Sequence, residues 1–148
     1  MTIMNWKHLS FVALVGLIAC ILWLALNESI LGTGPVSIAI QILAALLMVW
    51  ARITFGLRSF HATANPTAGG LVRTGPYRYL RHPIYAAVLY FLWAGIAVHP
   101  YILSVLMGLI ATGMTAVRIA AEETLLLPVY PQYREYSRVT SRVIPFVL

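Results

Sequence analysis

Long stretches without charge constrain this chain more than any other feature. Residues 9–27, 29–51, 84–98 and 100–117 contain no Lys, Arg, Asp, Glu or His. A helix needs about 20 mostly apolar residues to cross the hydrocarbon core of a bilayer. The first two stretches reach that length, and the last two are shorter, as expected for a tilted or slightly embedded helical hairpin. We therefore expect an integral, multi-pass membrane protein.

The predicted fold is all-α, with four transmembrane helices in a single membrane domain over residues 1–148. The helices are expected at about 9–27, 34–51, 83–98 and 101–118. Pro35, in the sequence "GTGP", suits the first turn of the second helix. A loop over 52–82 and a C-terminal segment over 119–148 complete the chain.

The basic residues predict the orientation of these helices. All 10 Lys and Arg residues fall before the first helix, between the second and third, or after the fourth. The positive-inside rule makes that side cytoplasmic, together with both termini. The net charge of +6 is then explained by topology and by contact with anionic lipid headgroups, so no nucleic-acid partner is expected.

Two polar clusters carry the candidate chemistry, one ending at Pro83 and one beginning at Arg118. Each arm of the hairpin between them rises about 25 Å and returns. The hairpin therefore predicts that Arg81 and His82 lie beside Glu122 and its neighbours, in a cytoplasmic pocket. The loop before the third helix and the segment after the fourth would form this pocket.

The residue types in this pocket suit a ligand that carries both signs of charge. Pro83 can begin a helix and forces His82 into an extended conformation, leaving free helix-start N–H groups for an anion. Arg118 and Glu122 are spaced to pair on one helical face, and Glu122 with Glu123 would suit a cation.

Each of these features also has a purely structural interpretation. The acids could balance the arginines, and His82 could be a helix cap. Arginines and tyrosines are common anchors at membrane interfaces, and residues 129–139 could form a helix on the membrane surface. Cys20 is a lone cysteine in mid-membrane, so neither a disulfide nor a cysteine metal site within one chain is expected, and no metal site is predicted.

Three quoted segments, taken together, are similar to a known family. "GPYRYLRHPIY" at 75–85, "RIAAEE" at 118–123 and "YPQYREYSRVTSRVIPF" at 130–146 resemble the isoprenylcysteine carboxyl methyltransferase family. The phospholipid N-methyltransferases share this C-terminal half. The resemblance implies methyl transfer from S-adenosylmethionine to a lipophilic acceptor at the cytosolic membrane boundary.

The resemblance also implies roles for individual residues. It places Arg81 and Arg118 near the transferring methyl group and the acceptor, as catalytic residues. The implied cofactor-binding residues are Gly75, Tyr77, His82, Pro83, Tyr85, Glu122, Glu123 and Tyr133. Acids suit the ammonium of the cofactor, helix-start N–H groups or arginine suit its carboxylate, and tyrosines suit its adenine or sulfonium.

The acceptor and two other functions stay open at this point. A prenylcysteine, a quinone-like or isoprenoid lipid, a phospholipid amine and a small hydrophobic acid are all compatible acceptors. Membrane reductases that use NADPH share a related His-Pro-x-Tyr stretch and form one alternative. A non-catalytic scaffold or small transporter is another, although the apolar stretches offer no ionisable pathway for transport.

Overall fold

The structure is a computed structural model that describes residues 3–56 and 70–145. Residues 57–69 of the predicted loop over 52–82, which include Arg58, lie outside the described residues, as do residues 146–148. The described ranges contain five α-helices: α1 Ile3–Leu26, α2 Pro35–Phe55, α3 Pro83–Ile96, α4 Ile102–Leu126 and α5 Tyr133–Val139. A 3-10 turn, Gly75–Arg78, precedes α3. Within the described ranges there is no β-strand, so the predicted all-α fold is confirmed.

Three of these helices are long and apolar enough to cross a membrane, namely α1, α2 and α4. Large apolar side chains such as Leu22, Val36 and Leu109 are exposed along them, as a lipid-facing surface requires. Helix α3 has 14 residues and is about 21 Å long, which is less than the bilayer core of about 30 Å. The fourth span therefore stays a prediction.

Two predicted helix ends were placed too early. Helix α2 continues to Phe55, and α4 continues to Leu126 rather than ending at Arg118. Helix α4 continues because its charges are paired within the protein: Arg118 Nη2 lies 3.6 Å from Glu122 Oε1 one turn later. Glu122 and Glu123 therefore belong to a helix and not to a segment that follows it.

Contacts near the helix ends show that the first four helices run alternately up and down. At one end, Ser37 near the start of α2 bonds the carbonyl of Ala94 near the end of α3. At the other end, Arg118 in the second half of α4 donates to the carbonyl of Ser10 near the start of α1. The predicted hairpin geometry, which returns the end of α4 to the start of α3, is confirmed.

Uncharged polar side chains hold the first of these ends together. Gln41 donates its amide N–H groups to the carbonyls of Ile30, at 2.7 Å, and Phe91, at 3.1 Å. Its amide oxygen accepts from the backbone N–H of Gly32 at 3.0 Å. We call Ser37 and Gln41, with the backbone groups that they bond, the neutral clamp. Such buried hydrogen bonds between apolar helices join elements that have no hydrophobic reason to associate within lipid.

The C-terminal segment folds back onto the start of α3. The backbone N–H groups of Arg81 and His82 donate to the carbonyls of Ser141, at 2.7 Å, and Arg142, at 3.0 Å. The hydroxyl of Tyr136 donates to the carbonyl of Tyr77 at 2.6 Å. Tyr136 is buried, so this tyrosine packs within the protein and does not act as an anchor at the membrane interface. The packing of α5 brings Tyr133 and residues 140–142 to the same end as Glu122 and Glu123.

Candidate cofactor and acceptor site

Charged side chains from three segments meet where α3 begins and α4 ends. We call this group the ionic cluster; it consists of Arg81, His82, Tyr85, Arg118, Glu122, Glu123 and Arg142. Pro83 is the first residue of α3, and His82 occupies the preceding cap position outside the helix. Its φ of −126° and ψ of 59° are not those of extended backbone, so the predicted extended conformation of His82 is wrong. The His82 side chain makes no capping hydrogen bond there, which excludes the simple-cap interpretation and leaves the imidazole free to point at α4.

Glu122 is bonded from inside the protein. The hydroxyl of Tyr85 donates to its Oε1, and the guanidinium of Arg118 approaches the same oxygen. His82 Nδ1 lies 3.5 Å from Oε2. Arg118 Nε also donates to the Tyr85 hydroxyl at 2.8 Å, so these side chains form a chain of hydrogen bonds between α3 and α4.

Glu123 has partners of two kinds. Its Oε1 lies 3.1 Å from Arg81 Nε and 3.4 Å from His82 Nε2, and the side chains of both partners are buried. Its Oε2 accepts from Arg142 Nε at 3.2 Å and Nη2 at 3.1 Å. The Arg142 side chain is 58% exposed. One oxygen of Glu123 therefore faces the interior, and the other is covered by an exposed arginine.

His82 is held between the two acids, which affects its protonation. Burial alone lowers the pKa of an imidazole, but hydrogen bonds and charges from Glu122 and Glu123 outweigh it and raise the pKa of His82 above its ordinary value. A protonated His82 donates from both ring nitrogens, in agreement with a glutamate oxygen beside each of them.

The ionic cluster carries more positive than negative charge. Three arginines and a histidine that favours protonation surround two carboxylates. A buried surplus of positive charge is costly unless an anion offsets it. The surplus therefore favours a ligand that brings a carboxylate or another negative group.

Two buried hydroxyls beside the cluster have no hydrogen-bond partner among the described residues. They are Ser10 Oγ, next to the carbonyl that Arg118 bonds, and the hydroxyl of Tyr133. Burial raises the pKa of Tyr133, and the negative charge of nearby Glu123 raises it further. The Tyr133 hydroxyl is therefore close to this carboxylate, but the two groups are not in hydrogen-bonding geometry. Buried polar groups are normally satisfied, so unsatisfied ones mark positions where a ligand or water completes the bonding.

The remaining predicted site residues, Gly75 and Tyr77, lie close to the cluster, but their observed contacts hold the 3-10 turn in place. Gly75 has a φ of +57°, and a Cβ on it would lie 2.6 Å from Thr54 Oγ1, so it lets the 3-10 turn pack against α2. Tyr77 is buried, with its ring 5.4 Å from that of Phe55. Its carbonyl accepts from Tyr136, and burial raises the pKa of its phenol. Their predicted contact with a cofactor stays a prediction.

The described residues contain no group of three or more His, Cys, Asp or Glu side chains that could hold a metal ion. The two acids of the site, Glu122 and Glu123, are each paired with an arginine.

Comparison with known proteins shows the family of this chain. Residues 35–128 match the model of the isoprenylcysteine carboxyl methyltransferase (ICMT) family. The chain belongs to this family. The match covers α2, α3 and α4 and ends shortly after α4, so Tyr133 and Arg142 lie beyond it. No curated protein and no solved structure matches the chain.

Two members of the site were not predicted from the sequence. Ser10 enters through α1 because its carbonyl accepts from Arg118 at 3.0 Å. Arg142 enters because the C-terminal segment pairs with the residues before α3. The charge of Arg142 was the one available signal, but it is one of 10 basic residues and had no distinguishing spacing.

Proposed function

We propose that this protein transfers a methyl group from S-adenosylmethionine to a lipophilic acceptor at the cytoplasmic boundary of a membrane. Family membership implies a membrane methyltransferase, and methyltransferases of this family generally use S-adenosylmethionine. Three membrane-length apolar helices and that membership indicate an integral membrane protein. The observation that carries the finer proposal is the ionic cluster, which gathers acids, arginines and tyrosines at one end of the bundle.

The residues of the cluster fit the charged groups of this cofactor. Glu122 and Glu123 suit its ammonium, and the surplus of arginine suits its carboxylate. The hydroxyl of Tyr133 is buried and needs a partner, and its ring suits adenine or a sulfonium. When bound, the cofactor would supply the electrophilic methyl group. In this proposal His82, Pro83, Tyr85 and the Gly75–Tyr77 turn support the acids and border the pocket.

The protonation of the cluster favours an acceptor that needs no base. An amine acceptor must lose a proton, and His82 or Glu123 would have to receive it. In this structure both acids lie beside His82, and the pKa of His82 is raised, so the imidazole is poorly suited to accept a further proton. A carboxylate acceptor needs only to be oriented and desolvated for in-line displacement. We therefore favour a carboxylate.

The two arginines proposed as catalytic differ in their contacts. Arg81 is nearly saturated, because Nη1 donates to the carbonyls of Ser137 and Thr140 while Nε donates to Glu123. These contacts favour a positioning role for Arg81. Arg118 has as many partners, but they lie in α1, α3 and α4: Nε donates to the Tyr85 hydroxyl, Nη1 donates to the carbonyl of Ser10, and Nη2 lies 3.6 Å from Glu122 Oε1. We propose that Arg118 orients the acceptor carboxylate.

An apolar groove supports the proposal that the acceptor is lipophilic. It is lined from α1, α2 and α3 by residues that include Ile21, Ala44, Met48, Val88, Phe91 and Leu92. Tyr85, Val88 and Leu92 are spaced so that they share one face of α3. The groove also includes Ile30, whose carbonyl belongs to the neutral clamp. A hydrocarbon chain lying in it would extend from the clamp toward Tyr85, and the ionic cluster would hold the polar end of the same acceptor.

The proposed orientation places both termini and the ionic cluster in the cytoplasm. In the described residues every Lys and Arg lies at or beyond the cluster end of the bundle, as the positive-inside rule requires. Single cysteines in place of exposed Thr33 and Glu135, in a Cys20→Ala background, should be labelled from opposite sides of the membrane. Labelling of both from one side would contradict the four-span arrangement.

Ligand stabilisation separates the proposal from the NADPH-dependent alternative. We expect S-adenosylhomocysteine, and not NADPH, to raise the melting temperature of the detergent-purified protein. Glu122→Gln and Glu123→Gln should each weaken that binding about 10- to 150-fold, since a charge-assisted hydrogen bond contributes about 1.5–3 kcal/mol. Stabilisation by NADPH alone, or full affinity in both variants, would contradict the proposal.

A further inference from the structure

Glu123 has one partner that differs from the other two, because Arg142 is exposed whereas Arg81 and His82 are buried. The other partners of Glu123 are fixed: Arg81 bonds two carbonyls of the C-terminal segment, and His82 also contacts Glu122. In the described part of the chain, the hydrogen bonds of the Arg142 guanidinium all go to Glu123. Arg142 is therefore the partner of Glu123 that can move.

The backbone of Arg142 stays in place when its side chain moves. Its carbonyl accepts from the N–H of His82 at 3.0 Å, and the adjacent Ser141 is paired with Leu80. The Arg142 side chain is 58% exposed, so water can solvate its guanidinium when the pair opens, and Glu123, which is 14% exposed, keeps its contacts with Arg81 and His82. A side-chain rotation would uncover Glu123 Oε2 without unfolding the C-terminal segment.

A zwitterion fits between the two separated partners. The amino-acid end of S-adenosylmethionine carries an ammonium and a carboxylate on the same carbon atom. With the ammonium on Glu123 and the carboxylate on Arg142, each charge keeps an opposite neighbour, and no net charge is added to the cluster. Each contact would be a charge-assisted hydrogen bond at the mouth of a partly buried site.

We propose that the Glu123–Arg142 ion pair opens to bind the amino-acid end of the cofactor, and that Arg142 binds its carboxylate. This inference rests on the proposed function, because it assigns a new residue to the same cofactor. It makes Arg142 the residue that distinguishes cofactors with a free amino-acid end from nucleosides that lack one. The unsatisfied hydroxyl of Tyr133, close to Glu123, lies next to the proposed position of this group.

Two adenosine thioethers provide the test, because they differ in the amino-acid end. Affinities of the full chain in detergent should be measured by calorimetry for S-adenosylhomocysteine and for 5′-methylthioadenosine, which lacks that end. We expect Arg142→Ala to weaken S-adenosylhomocysteine about tenfold or more and to leave methylthioadenosine unchanged. Arg142→Lys should recover part of the loss. Arg138→Ala, which removes the same charge four residues earlier at an exposed position, should change neither affinity.

Several outcomes would overturn the inference. If Arg142→Ala binds S-adenosylhomocysteine as tightly as the parent or more tightly, Arg142 merely covers Glu123. Equal weakening of both ligands, with a lower melting temperature of the free protein, would make its role structural. If the parent binds both ligands equally well, the amino-acid end is not recognised, although the proposed function survives. If the parent binds neither ligand, the proposed function fails and this inference fails with it.

Discussion

The two ends of the helix bundle both bury polar groups, but they do so differently. At the neutral clamp, Gln41 bonds three backbone groups and Ser37 bonds a fourth, without any charge. At the ionic cluster, two acids share several cations, one of which is exposed, and two nearby hydroxyls lack partners among the described residues.

This difference in hydrogen bonding distinguishes polar groups that stabilise the fold from polar groups that are available to bind a ligand. A fully satisfied network in an apolar environment fixes the helices that it joins and leaves nothing for another molecule to bond. A partly satisfied network with surplus charge is costly by itself and becomes favourable when a ligand completes it. We therefore expect mutations at the neutral clamp to change stability, and mutations at the ionic cluster to change binding and transfer.

The largest effect on stability is expected where a helix at the neutral end packs directly against backbone atoms. A Cβ on Gly95 would lie 2.2 Å from the carbonyl oxygen of Ile30, which Gln41 also bonds. Gly95→Val should therefore lower the free energy of unfolding by about 3 kcal/mol, near the upper end for overpacking. Thermal unfolding in detergent measures this loss, and calorimetry should find the cofactor affinity of the folded protein unchanged.

Gly113 provides the matched control on α4. A Cβ there would meet no atom within 4 Å, so Gly113→Ala should stabilise the protein by about 0.5–1 kcal/mol through helix propensity. If Gly95→Val left stability unchanged but abolished cofactor binding, the assignment of the two ends would have to be reversed.

The second prediction concerns methyl transfer at the ionic cluster. Lysine lacks the planar fork with which Arg118 contacts Tyr85, Glu122 and the carbonyl of Ser10. Arg118→Lys should lower turnover about 100-fold, because a displacement of about 1 Å in the aligned reactants has that cost. The affinity for S-adenosylhomocysteine should stay close to that of the parent.

Arg81→Lys distinguishes orientation of the acceptor from support of the fold. Because Arg81 bonds the carbonyls of Ser137 and Thr140, its replacement should lower the melting temperature and weaken cofactor binding together. If both arginine variants behaved in this way, Arg118 would also be a positioning residue. Normal turnover in Arg118→Lys would remove it from the catalytic proposal.

The sequence predicted those parts of the fold that depend on local composition. Uncharged stretches predicted four apolar helices, and the hairpin between Pro83 and Arg118 predicted that His82 meets Glu122. The end of α4 could not be placed, because a charged residue at a membrane boundary usually marks the end of a span, and here Arg118 is buried by pairing.

The rest of the candidate site depends on contacts between distant backbone groups. Ser10 belongs to it because its backbone carbonyl accepts a hydrogen bond from Arg118. Neither a serine nor an arginine in the sequence predicts a partner of this kind. Arg142 belongs to it because Ser141 pairs with the segment before α3. Carbonyl partners of this kind depend on how helices pack, for which hydrophobic patterns give no specific signal.

The third prediction uses the pH dependence of stability. Since the pKa of His82 is raised above its ordinary value, the charged imidazole stabilises the fold below pH 6.5. That contribution is lost as the pH rises through the raised pKa. Thermal unfolding without ligand should therefore show stability decreasing above about pH 6.5, and His82→Asn should remove this part of the curve. As a control, His99→Gln, in the connection between α3 and α4, should leave this decrease in stability intact. If the parent and His82→Asn gave the same curve, His82 would be neutral in the fold.

The smallest expected effect gives the sharpest comparison, because it uses the same substitution at both ends. Ser37 and Ser10 are both buried, but the Ser37 hydroxyl donates to Ala94 and the Ser10 hydroxyl has no partner among the described residues. Ser37→Ala should cost about 1 kcal/mol, the net contribution of an ordinary hydrogen bond. Ser10→Ala removes an unsatisfied group, so it should leave the free energy of unfolding unchanged or raise it slightly.

If a bound acceptor or cofactor completes the bonding of Ser10, the same variant should bind that ligand or turn it over less well, although the protein is no less stable. Equal destabilisation by both substitutions, with ligand binding unaffected, would show that Ser10 has a structural partner and that the two ends do not differ in the way proposed.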